Sequence, residues 1–345
     1  MYKKLLLCIV LVLVALILSS TGCVEERETT TLRIGFQPSA HHAAGMIAFE
    51  KGWFRDAGIN ATVAGIYWGG GSPEMEAMRA GEMNVAYVGI SPAINAIGHG
   101  LDAKVVAAAQ KEAQVLVVAA TNGTPDWVYT KPSDLEGKTI GTLTAGSIQD
   151  VVLDSWMNRM EAEGRLDKSK VTIKYMGIGD MMTGLATKKL DAIYLSEELT
   201  EIPVLAGYGA YTNLTSRVTR PNHPCCVLLV SDDLIENHPD IVKKLVEVHI
   251  NATEYAMSHP EETAEIVSDF LDWEEHGYPK EAILRGLEGE GPIPIGYDTN
   301  PHNITETTME LVQVHYERGY IDRPLSESDI FDYSFYDEIM RERGM

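Results

Sequence analysis

Basic residues are scarce in this chain of 345: Lys and Arg number 28 against 50 Asp and Glu, for a net charge of −22. A protein that grips a nucleic-acid backbone needs a basic face, so the balance excludes a nucleic-acid partner. Cysteine is scarcer still, with only four residues, Cys8, Cys23, Cys225 and Cys226. The last two are adjacent, too close for an ordinary bridge, so there is no disulfide framework and Cys225 and Cys226 are expected as buried thiols. Familiar catalytic signatures are missing too. The sequence has no G-x-x-x-x-G-K-[ST], no G-x-G-x-x-G after a strand, no H-E-x-x-H and no G-x-S-x-G.

Long apolar runs are confined to one place, Leu5 to Leu18, preceded by Lys3-Lys4 and followed by Ser19-Ser20-Thr21-Gly22 and Cys23. A basic start, a short apolar middle and a small-residue end match an export signal over residues 1–22. Gly22-Cys23 resembles a lipobox, which makes Cys23 the lipidation candidate, although Ser20 stands where leucine is usual. An uncleaved anchor helix is the alternative. Both place the protein outside the cell, tethered to the outer face of its membrane. Residues 23–31 are polar and aperiodic, as a solvated leash would be. Asn-x-Thr sequons occur at Asn60, Asn122, Asn213, Asn251 and Asn303.

The remaining length and the ordinary 45% hydrophobic content suit two α/β lobes. Leu32, Ile34 and Phe36 alternate as in a strand, Gln37-Pro38-Ser39 ends it, and a helix follows to Lys51-Gly52. The pattern then recurs. A strand over Ala61–Ile66 gives way to Gly69-Gly70-Gly71 and a helix with Ser72 as N-cap. A strand over Val85–Val88 is followed by Gly89-Ile90-Ser91-Pro92 and another helix. Val105–Ala109 and Val115–Ala120 read as strands covered on both faces. The turn-forming Asn122-Gly123-Thr124-Pro125 suggests a change of lobe there, so residues 32–120 form the first part of lobe I and 121–224 lobe II. Lys138–Thr142, a loop over Leu143–Ser147 and a helix from Ile148 restart the construction. An apolar strand after Pro224 carries the chain back, leaving 225–345 to complete lobe I with C-terminal helices.

The loops that end strands and begin helices, around Ser39, Ser72, Ser91 and Ser147, are where open α/β sheets place ligands. Each helix start offers unpaired N–H groups and a partial positive charge, so the set can hold a small anion without arginine. Trp68 and Tyr67 supply an apolar wall, and His41 a hydrogen-bond donor to the ligand. Glu197-Glu198 read first as a solvated helix start, with one of them facing a ligand ammonium as the other possibility. His41, His42, His223 and Cys225 can be drawn as a metal set, but no pair has helical or hairpin spacing. Neither metal nor cofactor is expected.

IGFQPSAHH, GGGSPEMEAMRAGEMNVAYVGISPA, LEGKTIGTLTAGS and KKLDAIYLSEEL, in that order, resemble the solute-binding proteins of ABC importers for sulfonates, taurine and nitrate. Thiamine-pyrimidine binders are close cousins. The resemblance spans about Leu32 to Ser268. It implies a two-lobed periplasmic-binding-protein type II fold, each lobe a helix-flanked sheet, joined by two crossover connections and closing by a hinge on a small anionic or zwitterionic solute. It implies a permease and an ATPase as partners and no catalysis. By position it points to Gln37, Ser39, His41, Gly71, Ser72, Gly89, Ser91, Ser147 and Glu197. The other readings are a binder of a thiamine pyrimidine precursor, an enzyme like the pyrimidine synthase of the same fold, and a receptor that only senses.

Overall fold

In the computed structural model the described residues are 30–345; the export segment, Cys23 and most of the leash lie outside them. Two sheets carry the site. The first has the order β12-β4-β11-β3-β1-β2 and the second β10-β5-β9-β7-β8. In the first, β1 (Thr31–Phe36), β2 (Asn60–Ile66) and β3 (Val85–Gly89) are parallel, with β11 (Pro224–Ser231) antiparallel beside β3 and β4 (Ala103–Lys111) beyond it. The second repeats this with β7 (Thr139–Thr142), β8 (Thr172–Tyr175) and β9 (Ala192–Ser196) parallel, β5 (Gln114–Thr121) antiparallel beside β9, and β10 (Gly209–Thr215) at the edge. The short β6 (Thr124–Pro125) pairs with β5 and β12 (Gly296–Tyr297) with β4.

Helices of eight residues or more are α1 (Ala43–Glu50), α2 (Gly71–Arg79), α3 (Ile90–Gly98), α4 (Ile148–Ala162), α5 (Ile178–Ala186) and α6 (Glu197–Leu205). They continue as α7 (Pro239–Ser258), α8 (Pro260–Phe270), α9 (Lys280–Glu288), α10 (His302–Glu317) and α11 (Ser334–Glu342). None of the described helices is long and apolar enough to cross a membrane. Where connections depart from a central strand in opposite directions a crevice opens at the strands' carboxyl ends. Here those places are the ends of β1 and β3 in one sheet and of β7 and β9 in the other.

The chain leaves the first sheet earlier than composition suggests. It crosses between β4 and β5 at Glu112 and Ala113, both left-handed with φ 62 and 67, and β5 belongs wholly to the second sheet. Asn122-Gly123 is only the turn from β5 into β6. Both strands are apolar along their middles, Val105–Ala109 and Val115–Ala120, so neither reveals its sheet, and the break carries no glycine to mark it. The return crossing runs over residues 216–223, ahead of β11.

Ser72 and Ser91 are not caps. Gly70 precedes α2 with φ 92 and ψ −170, a conformation open to glycine, and Gly89 precedes α3, so each serine lies within a first turn. Ser147 is a true N-cap, its hydroxyl accepting from the Asp150 N–H at 3.3 Å. The C-terminal helices do not serve the first lobe alone. Arg285 of α9 donates to Glu201 of α6 at 2.7 Å, and Arg318 just after α10 reaches Asp150 of α4 at 3.1 Å. All five sequon asparagines are exposed.

Candidate functional site

The crevices of the two sheets face each other across one cavity of about 50 Å³. At roughly 10 to 15 Å³ per water, that holds about four waters or one small ion. From the first lobe come Gln37, Ser39 and His41 after β1, Trp68, Gly71 and Ser72 before and in α2, and Gly89 ahead of α3. The second lobe adds Leu143, Thr144, Ser147 and Ile148 after β7, Ile178 at the start of α5, and Ser196 at the start of α6. Among the described residues, no Lys, Arg, Asp or Glu lines it. Trp68 forms one wall, its ring 3.9 Å from that of His276.

Close approach of α2 to its neighbours explains Gly71. A Cβ there would stand 2.8 Å from Gln37 Nε2 and 2.8 Å from Pro92 Cβ, so only a hydrogen lets the starts of α2 and α3 meet over the end of β1. Gln37 in turn donates to Glu74 at 2.9 Å. Glu74 is fully buried, and burial pushes its carboxyl well above the ordinary range despite that bond.

Two of the sequence-derived residues do not line the cavity. Ser91 is fully buried, donates to the Gly146 carbonyl at 2.8 Å and lies 2.6 Å from His315 Nε2. Gly146 belongs to the loop after β7, so this bond fastens the two lobes. Glu197 is the other. It and Glu198 are buried, not solvated, and face His41 from the opposite lobe. His41 Nε2 is 3.1 and 3.2 Å from the Glu197 oxygens and 3.6 Å from Glu198, and the Ser39 hydroxyl donates to Glu198.

Burial alone would push the His41 imidazole down, but the Glu197 and Glu198 carboxyls and the Cys225 sulfur outweigh it and hold its pKa well above the ordinary value. Burial likewise pushes Glu197 up to about 8 against the pull of His41. Cys225 is held down at about 6, because the Cys226 thiol and the His41 imidazole outweigh its burial. Cys225 and Cys226 line the cavity beside His41, a role that chain spacing did not reveal. His42 and His223 stand apart from that group. Their Nδ1 atoms face the backbone carbonyls of Gln37 and Arg220 at 3.0 and 2.7 Å.

Comparison with known proteins adds the wider frame. The sequence model of the NMT1-like family matches residues 25–271. A protein of Bacillus subtilis (strain 168) that carries the name of an aliphatic sulfonates-binding protein is 25% identical over 346 aligned positions, covering 97% of each chain. The periplasmic aliphatic sulphonate binding protein SsuA of Escherichia coli superposes with a TM-score of 0.70 at 16% identity, over 88% of this chain and 92% of that one. The periplasmic nitrate-binding protein NrtA of Synechocystis PCC 6803 gives 0.75 at 18% identity, over 91% and 89%. The two-lobed fold is therefore that of the periplasmic binding proteins.

Proposed function

The chain belongs to the NMT1-like family, and from that membership we propose that it is the extracytoplasmic solute-binding component of an ABC import system. It captures a small anionic or zwitterionic organic solute between its lobes and hands it to a permease and its ATPase. The names of the B. subtilis, E. coli and Synechocystis proteins favour a sulfonate or nitrate-like head group. One observation carries the reading: a cavity between two crevices, ringed by helix starts and hydroxyls and lined, among the described residues, by no Lys, Arg, Asp or Glu, with the His41 imidazole as its basic group. Each helix start contributes about 0.3 to 1 kcal/mol with an anion. The net charge of −22 repels an anion at long range, but salt screens that field beyond about 8 Å and leaves the local dipoles in control. Binding by closure then needs no chemical step, and release requires the permease to favour the open state. In this reading the capture happens outside the cell, with the protein held at the membrane by a lipid on Cys23 or by the apolar segment kept as an anchor helix.

A thermal-shift screen of the full chain against nitrate, taurine, alkanesulfonates, carboxylates and thiamine pyrimidine precursors tests this. A ligand at 1,000 times its dissociation constant adds about 4.1 kcal/mol of stability, so the right class stands clear of the rest. Gly71→Ala, which drives the starts of α2 and α3 apart, is expected to weaken the hit at least tenfold, or about 1.4 kcal/mol. A screen in which only cationic solutes shift the melting curve, or a hit bound equally well by Gly71→Ala, contradicts the assignment.

A further inference from the structure

Adjacent residues of a strand normally point to opposite faces of the sheet, yet the sulfurs of Cys225 and Cys226 lie 3.6 Å apart. The register of β11 against β4 breaks between Pro224 and Cys226 and again between Cys226 and Val227. Such irregularities re-aim side chains, and here they turn both thiols to one place. His41 Nδ1 completes a triangle at 3.5 Å from Cys225 Sγ and 3.6 Å from Cys226 Sγ. Among the described residues these three form one of the groups able to hold a metal.

The edges of that triangle are those of a coordination site. Zinc bonds of about 2.3 Å to sulfur and about 2.0 to 2.1 Å to nitrogen, set at tetrahedral angles, separate two sulfurs by about 3.8 Å and sulfur from nitrogen by about 3.5 Å. The surroundings suit it as well. The other nitrogen of His41 meets the Glu197 carboxyl at 3.1 Å, the carboxylate–histidine arrangement that orients metal-binding imidazoles. Gln114 Nε2 donates to Cys225 Sγ at 3.0 Å, fixing one thiol from the second lobe. His41, Cys225 and Cys226 all line the cavity, so a cation among them has an unfilled side toward it. The alternative group, His41 with Glu197 and Glu198, uses the nitrogen already engaged by Glu197 and offers no soft donor.

We propose that His41 Nδ1, Cys225 Sγ and Cys226 Sγ bind one thiophilic divalent cation of the zinc class, and that the solute's anionic donor atom takes the fourth position. A divalent cation takes the place of the thiol protons and balances the two thiolates, so the site presents a cation and no added negative charge to an anion. The cation half stands on this geometry alone; the solute half rests on the capture function proposed above.

Cobalt(II) is the probe for the cation. The full chain, purified in detergent and stripped with chelator, is expected to take up one equivalent with the intense visible absorption of a tetrahedral ion and a thiolate-to-cobalt charge-transfer band, both abolished by zinc. Cys225→Ser and Cys226→Ser each remove charge-transfer intensity, Glu197→Gln lowers affinity about 10- to 100-fold, and the Cys8→Ser/Cys23→Ser double variant changes nothing. Wild-type protein gives a readout that does not depend on a variant folding: zinc shields Cys225 and Cys226, located by mass spectrometry, from alkylation. Weak octahedral absorption without charge transfer, or alkylation of both thiols unaffected by zinc, overturns the cation site. An anion from the screen that binds the stripped and the zinc-loaded protein equally overturns the solute half only. Zinc bound as expected with no anion bound at all leaves the site and removes the capture function.

Discussion

Glu197→Ala is expected to lower the unfolding free energy by about 3 kcal/mol, the upper end of what leaving a buried hydrogen-bonding group without its partner costs. His41 and Glu197 are almost wholly excluded from solvent and meet across the lobe boundary, so the variant leaves a buried imidazole facing a small void. Glu198, 3.6 Å from the same nitrogen, remains and keeps the loss from running higher. Glu197→Gln keeps an acceptor of the same shape and should cost about 1 kcal/mol, the worth of an ordinary hydrogen bond. Denaturant melts of the three proteins check the order. An alanine variant as stable as wild type would mean that His41 is held by something other than its carboxylates.

Acidification from pH 6.5 to 4.5 is expected to lower stability by about 5 kcal/mol, a large part of what a domain usually has. Burial, the largest cause at each, holds four histidines below their ordinary value of 6.5: His42 at about 3, His223 at about 4, His249 at about 4 and His315 at about 3. These are neutral when folded and protonated when unfolded throughout the window. Each therefore contributes stability that is complete above 6.5 and lost as the pH falls toward its folded value. Glu74, raised well above 4.5, and Glu197, raised to about 8, work the other way. They are protonated when folded and ionised when unfolded, so each adds stability as the pH falls, until 4.5. Four protons taken up less two leaves two, and each proton is worth about 1.4 kcal/mol per pH unit. Melting temperatures across this range check it; a flat or rising curve on acidification would contradict the buried, neutral state of these histidines.

How much of this was legible in the sequence follows from how local each signal is. The strands that open the two crevices announce themselves through alternation and glycine turns: Leu32, Ile34 and Phe36 ahead of Gln37, or Val85 to Val88 ahead of Gly89. Seven of the residues that those turns and the family resemblance pointed to, Gln37, Ser39, His41, Gly71, Ser72, Gly89 and Ser147, line the cavity, as does Trp68. Contacts made over long stretches of chain left no such mark. Glu197 lies 156 residues from His41 and Cys225 lies 184 from it, so a pair of acids at a helix start read first as solvated and a pair of cysteines first as buried thiols. Ser91 shares its serine-proline opening with Ser72, and nothing local tells that one faces the cavity while the other reaches Gly146 in the opposite lobe.

A crystal structure of the full chain with the strongest hit of the screen tests the central claim most directly. The account predicts the anionic end enclosed between the lobes, within hydrogen-bond distance of backbone N–H groups at the starts of α2 or α3 and of α4, with no lysine or arginine touching it. An anion seated against basic side chains outside this cavity, with the helix starts contacting only water, would contradict it.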